Sequence, residues 1–247
     1  MTRSVRLAVF LAGGAGLGVM LVLTFLRLPE FGGTLHTYRD ASVAVALRQV
    51  TPNAVSSVNF DQRALDTLGE EIILLGSVIG AATLLRLGSG ERRRLRSTVD
   101  TALPSTRLLG YLLLPVAVLL GLDVIAHGHL TPGGGFQGGV VLATGVHLSY
   151  VAGSYRALRR LRPLDWYTYA ESAGAAAFVA LGCAGMLAGS AFLANFLPHG
   201  GFGALVSAGT VPLLSAAVGV EVAAGVVVLL AQFLEQAIAV RAEGEPA

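Results

Sequence analysis

Long apolar runs alternate with short polar stretches along the 247 residues, and six of the runs approach the length that crosses a bilayer. They cover Leu7–Leu26, Thr67–Leu87, Leu108–Ala126, Phe136–Ser154, Tyr169–Leu193 and Val211–Gln236. The pattern predicts an all-α integral membrane protein with six transmembrane helices arranged as two plus four. A polar stretch, Gly88–Thr106, divides the two groups. Residues 1–90 form the two-helix part, whose outer loop over 27–66 holds a short surface helix around Arg39–Gln49, ended by Pro52. An arginine-rich linker over 91–106 leads to the four-helix part over 107–240, and a polar tail occupies 241–247. Arg3 and Arg6 precede the first run as in a secretory signal, but the run is too long for a signal's core, which predicts an uncleaved anchor.

Arginine orients these helices. With the N-terminus inside, Arg3, Arg6, Arg86, Arg92, Arg93, Arg94, Arg96, Arg107, Arg156, Arg159, Arg160, Arg162 and Arg241 fall on the inner side. Arg27, Arg39, Arg48 and Arg63 fall outside, so the positive excess predicts that both termini are cytoplasmic. The composition agrees with lipid as the solvent, at 54 % hydrophobic and 13 % charged residues. A net charge of +2 is too small to imply nucleic acid, and the absence of lysine excludes a phosphate-binding P-loop. The single cysteine, Cys183, forms no intrachain disulfide or iron–sulfur ligand set, and its apolar run predicts a buried small hydrophobe.

The segment Gly128-His129-Leu130-Thr131-Pro132-Gly133-Gly134-Gly135-Phe136-Gln137-Gly138-Gly139 is a glycine hinge between two apolar runs. Pro132 stops a helix, the next three glycines permit a tight turn, and Gly138 and Gly139 let the following helix approach a neighbour closely. Gly133, Gly135 and Gly138 also fit the spacing of a dinucleotide-binding turn. No strand precedes them and no acidic residue lies about 20 positions downstream, which excludes that reading. His127 and His129 have no third or fourth ligand nearby, so no metal site is expected. A similar Pro198-His199-Gly200-Gly201-Phe202 also leads towards a helix, as it would if the two hairpins descended from one unit; chance explains the echo equally well among 32 glycines.

Ionisable residues within spanning helices carry a functional hypothesis by default. Glu70 and Glu71 lie roughly 5 Å below the outer surface, and Asp123 about 5–6 Å from the outer end of its helix. His127 shares a face with Asp123. Two roles stay open for each pair: an acidic outer vestibule, or a helix-start charge at Glu70–Glu71 and a structural pair at Asp123–His127. Deeper, His147 lies about 16 Å and Glu221 about 15 Å along their helices. At a shared level they could relay a proton, because a histidine titrates near neutrality; the alternatives are a satisfied interior histidine and a carboxylic acid bonded to a carbonyl. Glu171, beside Asp165, Trp166 and Tyr169, reads as interfacial.

Gly128 to Gly139 match, at every fixed position, the Gly-His-x-x-Pro-Gly-Gly-Gly-Phe-x-Gly-Gly signature of the B subunit of Mrp-type multisubunit sodium/proton antiporters, which residues 107–240 resemble. Asn53, Val55, Asp61, Arg63, Asp66, Thr67, Gly69 and Glu70 are similar to a pattern at the end of the large A-type subunit, an element that is a separate small subunit in related membrane-bound hydrogenases. The chain thus resembles a fusion of an A-type tail with a B subunit, a departure from the usual gene arrangement. The resemblance implies a multi-pass protein of a bacterial or archaeal cell membrane whose partners are the other subunits of an Mrp-type complex and the lipid bilayer. It also implies H+ and Na+ as coupling ions, no cofactor, no enzymatic activity, and dependence of activity on Pro132 and Phe136. Candidate ion-path residues are Asp66, Glu70, Glu71, Asp123, His147 and Glu221. The motif residues are Gly128, His129, Pro132, Gly133, Gly134, Gly135, Phe136, Gly138 and Gly139. A membrane-arm subunit of a hydrogenase or another complex I-related, ion-pumping oxidoreductase is the alternative, because it uses the same module.

Overall fold

The computed structural model of the chain describes residues 3–28, 32–34, 36–85, 103–153 and 164–244. Arg86, Arg92, Arg93, Arg94, Arg96, Arg156, Arg159, Arg160 and Arg162, residues 91–102 of the linker, and the last residues of the tail lie outside them. The described residues are helical and contain no strand. Two compact units emerge, residues 1–40 and 41–247.

The first unit is dominated by α1 (Arg3–Leu26), an apolar helix that buries none of its residues. Phe10 and Leu26 are among its outward-pointing side chains, which suits a helix whose whole circumference meets lipid or other proteins. In α2 (Thr37–Arg48), which straddles the boundary, the predicted surface helix is found within a residue or two.

The second unit holds α3 (Ala54–Ser57), a π-helical turn (Val58–Gln62), α4 (Ala64–Leu84), α5 (Pro104–Ala126), α6 (Gly135–Gly153), α7 (Leu164–Leu187) and α8 (Val211–Gly244). Among the described helices, α1, α4, α5, α7 and α8 are long and apolar enough to cross a membrane. The remaining predicted run coincides with α6. Helix α8 is the hub: α4, α5, α6, α7 and the π turn all pack on it, and α5 packs on α6. Its spanning stretch is 61 % buried, against 17 % in α4 and α5, so it is apolar on nearly every side and faces protein on nearly every side.

Glycine contacts give the helix directions. Gly138 of α6 abuts Gly121 and Ile125 of α5, and Gly145 abuts Ala117 and Leu114, so α5 and α6 are antiparallel. Gly135 lies against Ser215, Val218 and Gly219 of α8, and Gly139 against Gly219 and Val222, so α6 and α8 run the same way.

The core gathers Phe60 from the π turn, Ala64 from α4, Phe178 from α7, Leu193, and Val211, Leu214, Val218 and Val222 from α8. Leu193 explains one departure from the sequence pattern. The fifth apolar run was expected to be helical to Leu193, whereas α7 ends at Leu187 and the chain turns through Gly189 at φ +81°. The run stays apolar beyond the helix because the turn tucks Leu193 into the core. The Pro198–Phe202 echo likewise starts no helix of its own; α8 begins only at Val211, and Phe202 is exposed. Cys183 is a second correction. It is exposed on α7, not buried, because an apolar residue of a membrane helix is equally well placed on a face turned to lipid.

A buried carboxylate group at the crossing of α4, α7 and α8

The glycine motif builds the turn before α6. His127 accepts from the backbone N–H groups of Leu130 (2.8 Å) and Thr131 (2.9 Å), and Val124 accepts from Gly134 (3.2 Å). Gly134 has φ +137°, a region that favours glycine. Pro132 is exposed at the tip, and Phe136 packs against the core cluster. His129 is fully buried, with its ring against the backbone of Ala204 and Leu205, and burial lowers its pKa from the usual histidine value. It is a buried packing element of the turn.

Asn53, from the A-type-like pattern, clamps this turn. Its Nδ2 donates to Gly128 O (2.7 Å) and Thr131 O (2.9 Å), and its backbone N–H donates to His129 O (3.0 Å). Its Oδ1 caps α3 by accepting from Val55 N (3.1 Å) and Ser56 N (3.4 Å). One side chain thereby ties the first pattern to the second. Following α3, the π turn is braced by Gln62 Nε2 donating to Ser42 O (3.0 Å), and by Thr67 Oγ1 donating to Asn59 O (2.7 Å). Asp61 in this turn is half-buried and faces His199 and Asn195. Burial raises its pKa, and the nearby histidine and the Asn195 hydrogen bond offset this in part. Asn195 in turn accepts from Thr210 N (2.7 Å) and Thr210 Oγ1 (3.0 Å). The motif's Asp-x-Arg spacing marked Asp61, but its partners lie some 130 residues away and had no sequence signal.

The predicted ionisable residues separate into two groups. Asp66 is exposed and ion-paired with Arg63; Asp123 is exposed and pairs with His127 Nδ1 at 2.8 Å; Glu70 is exposed. Glu71 and Glu221 are buried, at 1 % and 0 % exposure. They face each other from α4 and α8, close enough for one carboxyl to bond the other, and neither receives a hydrogen bond from the rest of the described chain. Two facing carboxyl groups without a donor need a shared proton or an entering cation.

Glu221 does not meet His147, contrary to the shared level expected from counting along each helix. The register of α6 on α8 places His147 near Leu229, roughly 12 Å beyond Glu221 at 1.5 Å of rise per residue. The count failed because α8 begins well ahead of α6, so equal distances from the two helix starts are unequal depths. His147 Nε2 is buried without a hydrogen-bond partner among the described residues.

Glu171 of α7 was expected at the membrane interface, yet it is 1 % exposed and belongs with Glu221. Glycines make room for both. A side-chain carbon at Gly174 of α7 would stand 2.7 Å from Glu221 N and 2.8 Å from its Cβ; one at Gly225 of α8 would stand 2.9 Å from Glu171 Oε1 and 3.3 Å from Val78 Cγ2 of α4. Each glycine accommodates the other helix's glutamate. An acidic residue two positions into the predicted fifth apolar run was the available signal, overridden by its aromatic neighbours. The apolar groove on the outside of α7 and α8, lined by residues such as Ala177, Ala180 and Ala216, carries no comparable chemistry. No group of three or more potential metal ligands forms among the described residues.

Residues 105–228 match the family described as a domain related to the MnhB subunit of Na+/H+ antiporter. An uncharacterized protein of Methanocaldococcus jannaschii is 33 % identical over 202 residues, covering 71 % of this chain and 74 % of that protein. A probable K(+)/H(+) antiporter A/B subunit of Rhizobium meliloti is 29 % identical over 232 residues, covering 83 % of this chain but only 22 % of that protein. Among solved structures, a chain of the membrane-bound sulfane sulfur reductase, an archaeal respiratory membrane complex, is 26 % identical with a TM-score of 0.70, covering 93 % of this chain and 98 % of that one. A chain of the Mrp complex from a Dietzia species shares the fold at 24 % identity and a TM-score of 0.68, covering 94 % of this chain and 26 % of that one. With the motif, the fold and the matched region in agreement, this chain belongs to the family of the MnhB subunit of Na+/H+ antiporters.

Proposed function

We propose that the chain is a membrane subunit of a multisubunit monovalent cation/proton antiporter in a bacterial or archaeal cell membrane. The carrying observation is the pair Glu71–Glu221, buried at a helix crossing with no donor from the rest of the described chain. Such a pair holds either a proton or a desolvated cation, and that exclusivity is the chemical basis of exchange. The coupling ions are H+ and, following the family, Na+; no cofactor or resident metal takes part. Glu71 and Glu221 form the exchange site. Asp66, Glu70 and Asp123 belong to its outer approach, and His147 to a deeper level. The motif residues Pro132 and Phe136 hold α6 in register. The other subunits of the complex and the bilayer are the partners, with residues 1–90 as the A-type-like part and 107–240 as the B-type part.

We further infer six spans, both termini inside, and Thr131 outside. Antiparallel α5 and α6, parallel α6 and α8, and an α7 that packs on α8 in the opposite sense support this alternation. A cysteine placed at Thr131 in a Cys183→Ala background is expected to label from outside intact cells. Labelling only from the inside would reverse the topology.

The complex purified in mild detergent and reconstituted in liposomes tests the function. Sodium or potassium added against a pH gradient is expected to move protons with no electron donor present. The sulfane sulfur reductase chain favours a second reading, a membrane-arm subunit of a redox-driven ion pump. Redox partners copurifying with the chain, and proton movement only during electron transfer, would establish that reading in place of the first.

A further inference from the structure

We propose that Glu171 is the inner member of the exchange site, the carboxylate that takes the proton displaced when a cation enters between Glu71 and Glu221; this rests on the antiporter reading above. Glu71 and Glu221 meet from α4 and α8, Glu171 of α7 lies near Glu221, and both oxygens of Glu71, both of Glu221 and Oε1 of Glu171 are buried with no hydrogen-bond donor from the rest of the described chain. Gly225, one turn beyond Glu221 on α8, is where the Glu171 carboxyl rests, so Glu171 is reached after Glu221 along that helix. Glu71 lies about 10 Å from the outer start of α4 and Glu171 about 10 Å from the inner start of α7, at 1.5 Å per residue. The three groups therefore step across the bilayer, with Glu221 between the other two. Glu171 continues the line inwards from Glu221, while the exposed Glu70 and Asp66 stand at its outer end.

The step balances. A cation arriving from inside takes the place of the proton shared by Glu71 and Glu221. That proton passes to the Glu171 carboxylate and leaves inwards, the cation leaves outwards, and an outer proton restores the pair. One cation has then moved out for one proton in. The titratable groups facing Glu171 and its relay are Glu221 of α8 and Glu71 of α4, with Glu70 beside the latter.

The assembled complex in liposomes, with sodium- or potassium-driven proton flux as readout, decides this. Glu171→Gln is expected to lower the maximal rate about tenfold or more while the cation KM changes less than about twofold, since proton transfer is lost and cation binding is kept. Glu171→Asp is expected to recover much of the rate. Gly225→Ala, whose added carbon would stand 2.9 Å from Glu171 Oε1, is expected to slow transport by displacing the carboxyl without removing it. A wild-type maximal rate in Glu171→Gln alongside a defective Glu221→Gln would overturn the role of Glu171 and leave the antiporter reading standing. Wild-type rates in both would remove the exchange site itself. Should Glu171→Gln fail to assemble, an unchanged maximal rate in Gly225→Ala overturns the proposal.

Discussion

Glu221→Gln is expected to assemble normally and to lose cation-driven proton movement by about two orders of magnitude, the scale at which a positioned proton-transferring group contributes. Glutamine keeps the size of glutamate and supplies amide donors to Glu71, so the crossing of α4 and α8 remains packed. It cannot take up or release a proton, and its neutral amide no longer balances an entering cation. Glu71→Gln should match it, because the two carboxyls act as a unit. The neighbouring Glu70→Gln provides the contrast: Glu70 is exposed, and its loss should alter the rate less than about threefold, as for a rim charge that affects approach more than the bound state. Asp66→Asn, at the outer approach, should chiefly weaken apparent cation affinity. Proton flux at several sodium concentrations and pH values, normalised to assembled complex, reads all four. Wild-type flux in both Glu71→Gln and Glu221→Gln would end the idea that this pair handles ions.

Gly138→Ala should destabilise the α5–α6 hairpin by about 1–3 kcal/mol or more, the usual cost of overpacking a core. The added carbon would stand 2.6 Å from Gly121 O and 3.0 Å from Ile125 N, both backbone atoms that no rotamer change can move. The helices must part, and because α6 and α5 both lean on α8, the motif turn and the Asn53 clamp move with them. Gly201→Ala is the matched control: nothing lies within 4 Å of its new carbon, so it should stay within about 0.5 kcal/mol of the parent. Thermal unfolding of the purified complex and the amount of complex in the membrane are the measurements. Equal behaviour of the two variants would refute the close approach at Gly138.

Helix existence was legible because spanning length and apolar continuity are local quantities. Runs of about 20 residues cannot be satisfied in lipid except as helices, and the α1, α4, α5 and α8 windows lie close to the helices found. The turn before α6 was also legible, since Pro132 and the glycines dictate local dihedrals and permit close approach whatever else surrounds them. Burial was not. Glu70 and Glu71 are adjacent and chemically identical, yet one is exposed and the other meets Glu221; a rotation of about 100° per residue separates them, and only the position of α8 says which faces inwards. Asn53 and Asp61 were visible as motif letters, but their partners Gly128, Thr131, Asn195 and His199 are brought in by long-range packing.

By itself, then, the sequence determined the class of the protein, its helices, its hinge and its family, all of which follow from local composition and spacing. The tertiary structure alone decided which charges are buried together. Depth along a helix can be counted from its start, but the relative slide of two helices cannot, and it is set by which glycines let which backbones approach. That slide moved His147 away from Glu221, brought Glu71 to it across α4 and α8, and buried Glu171 in the space left by Gly225.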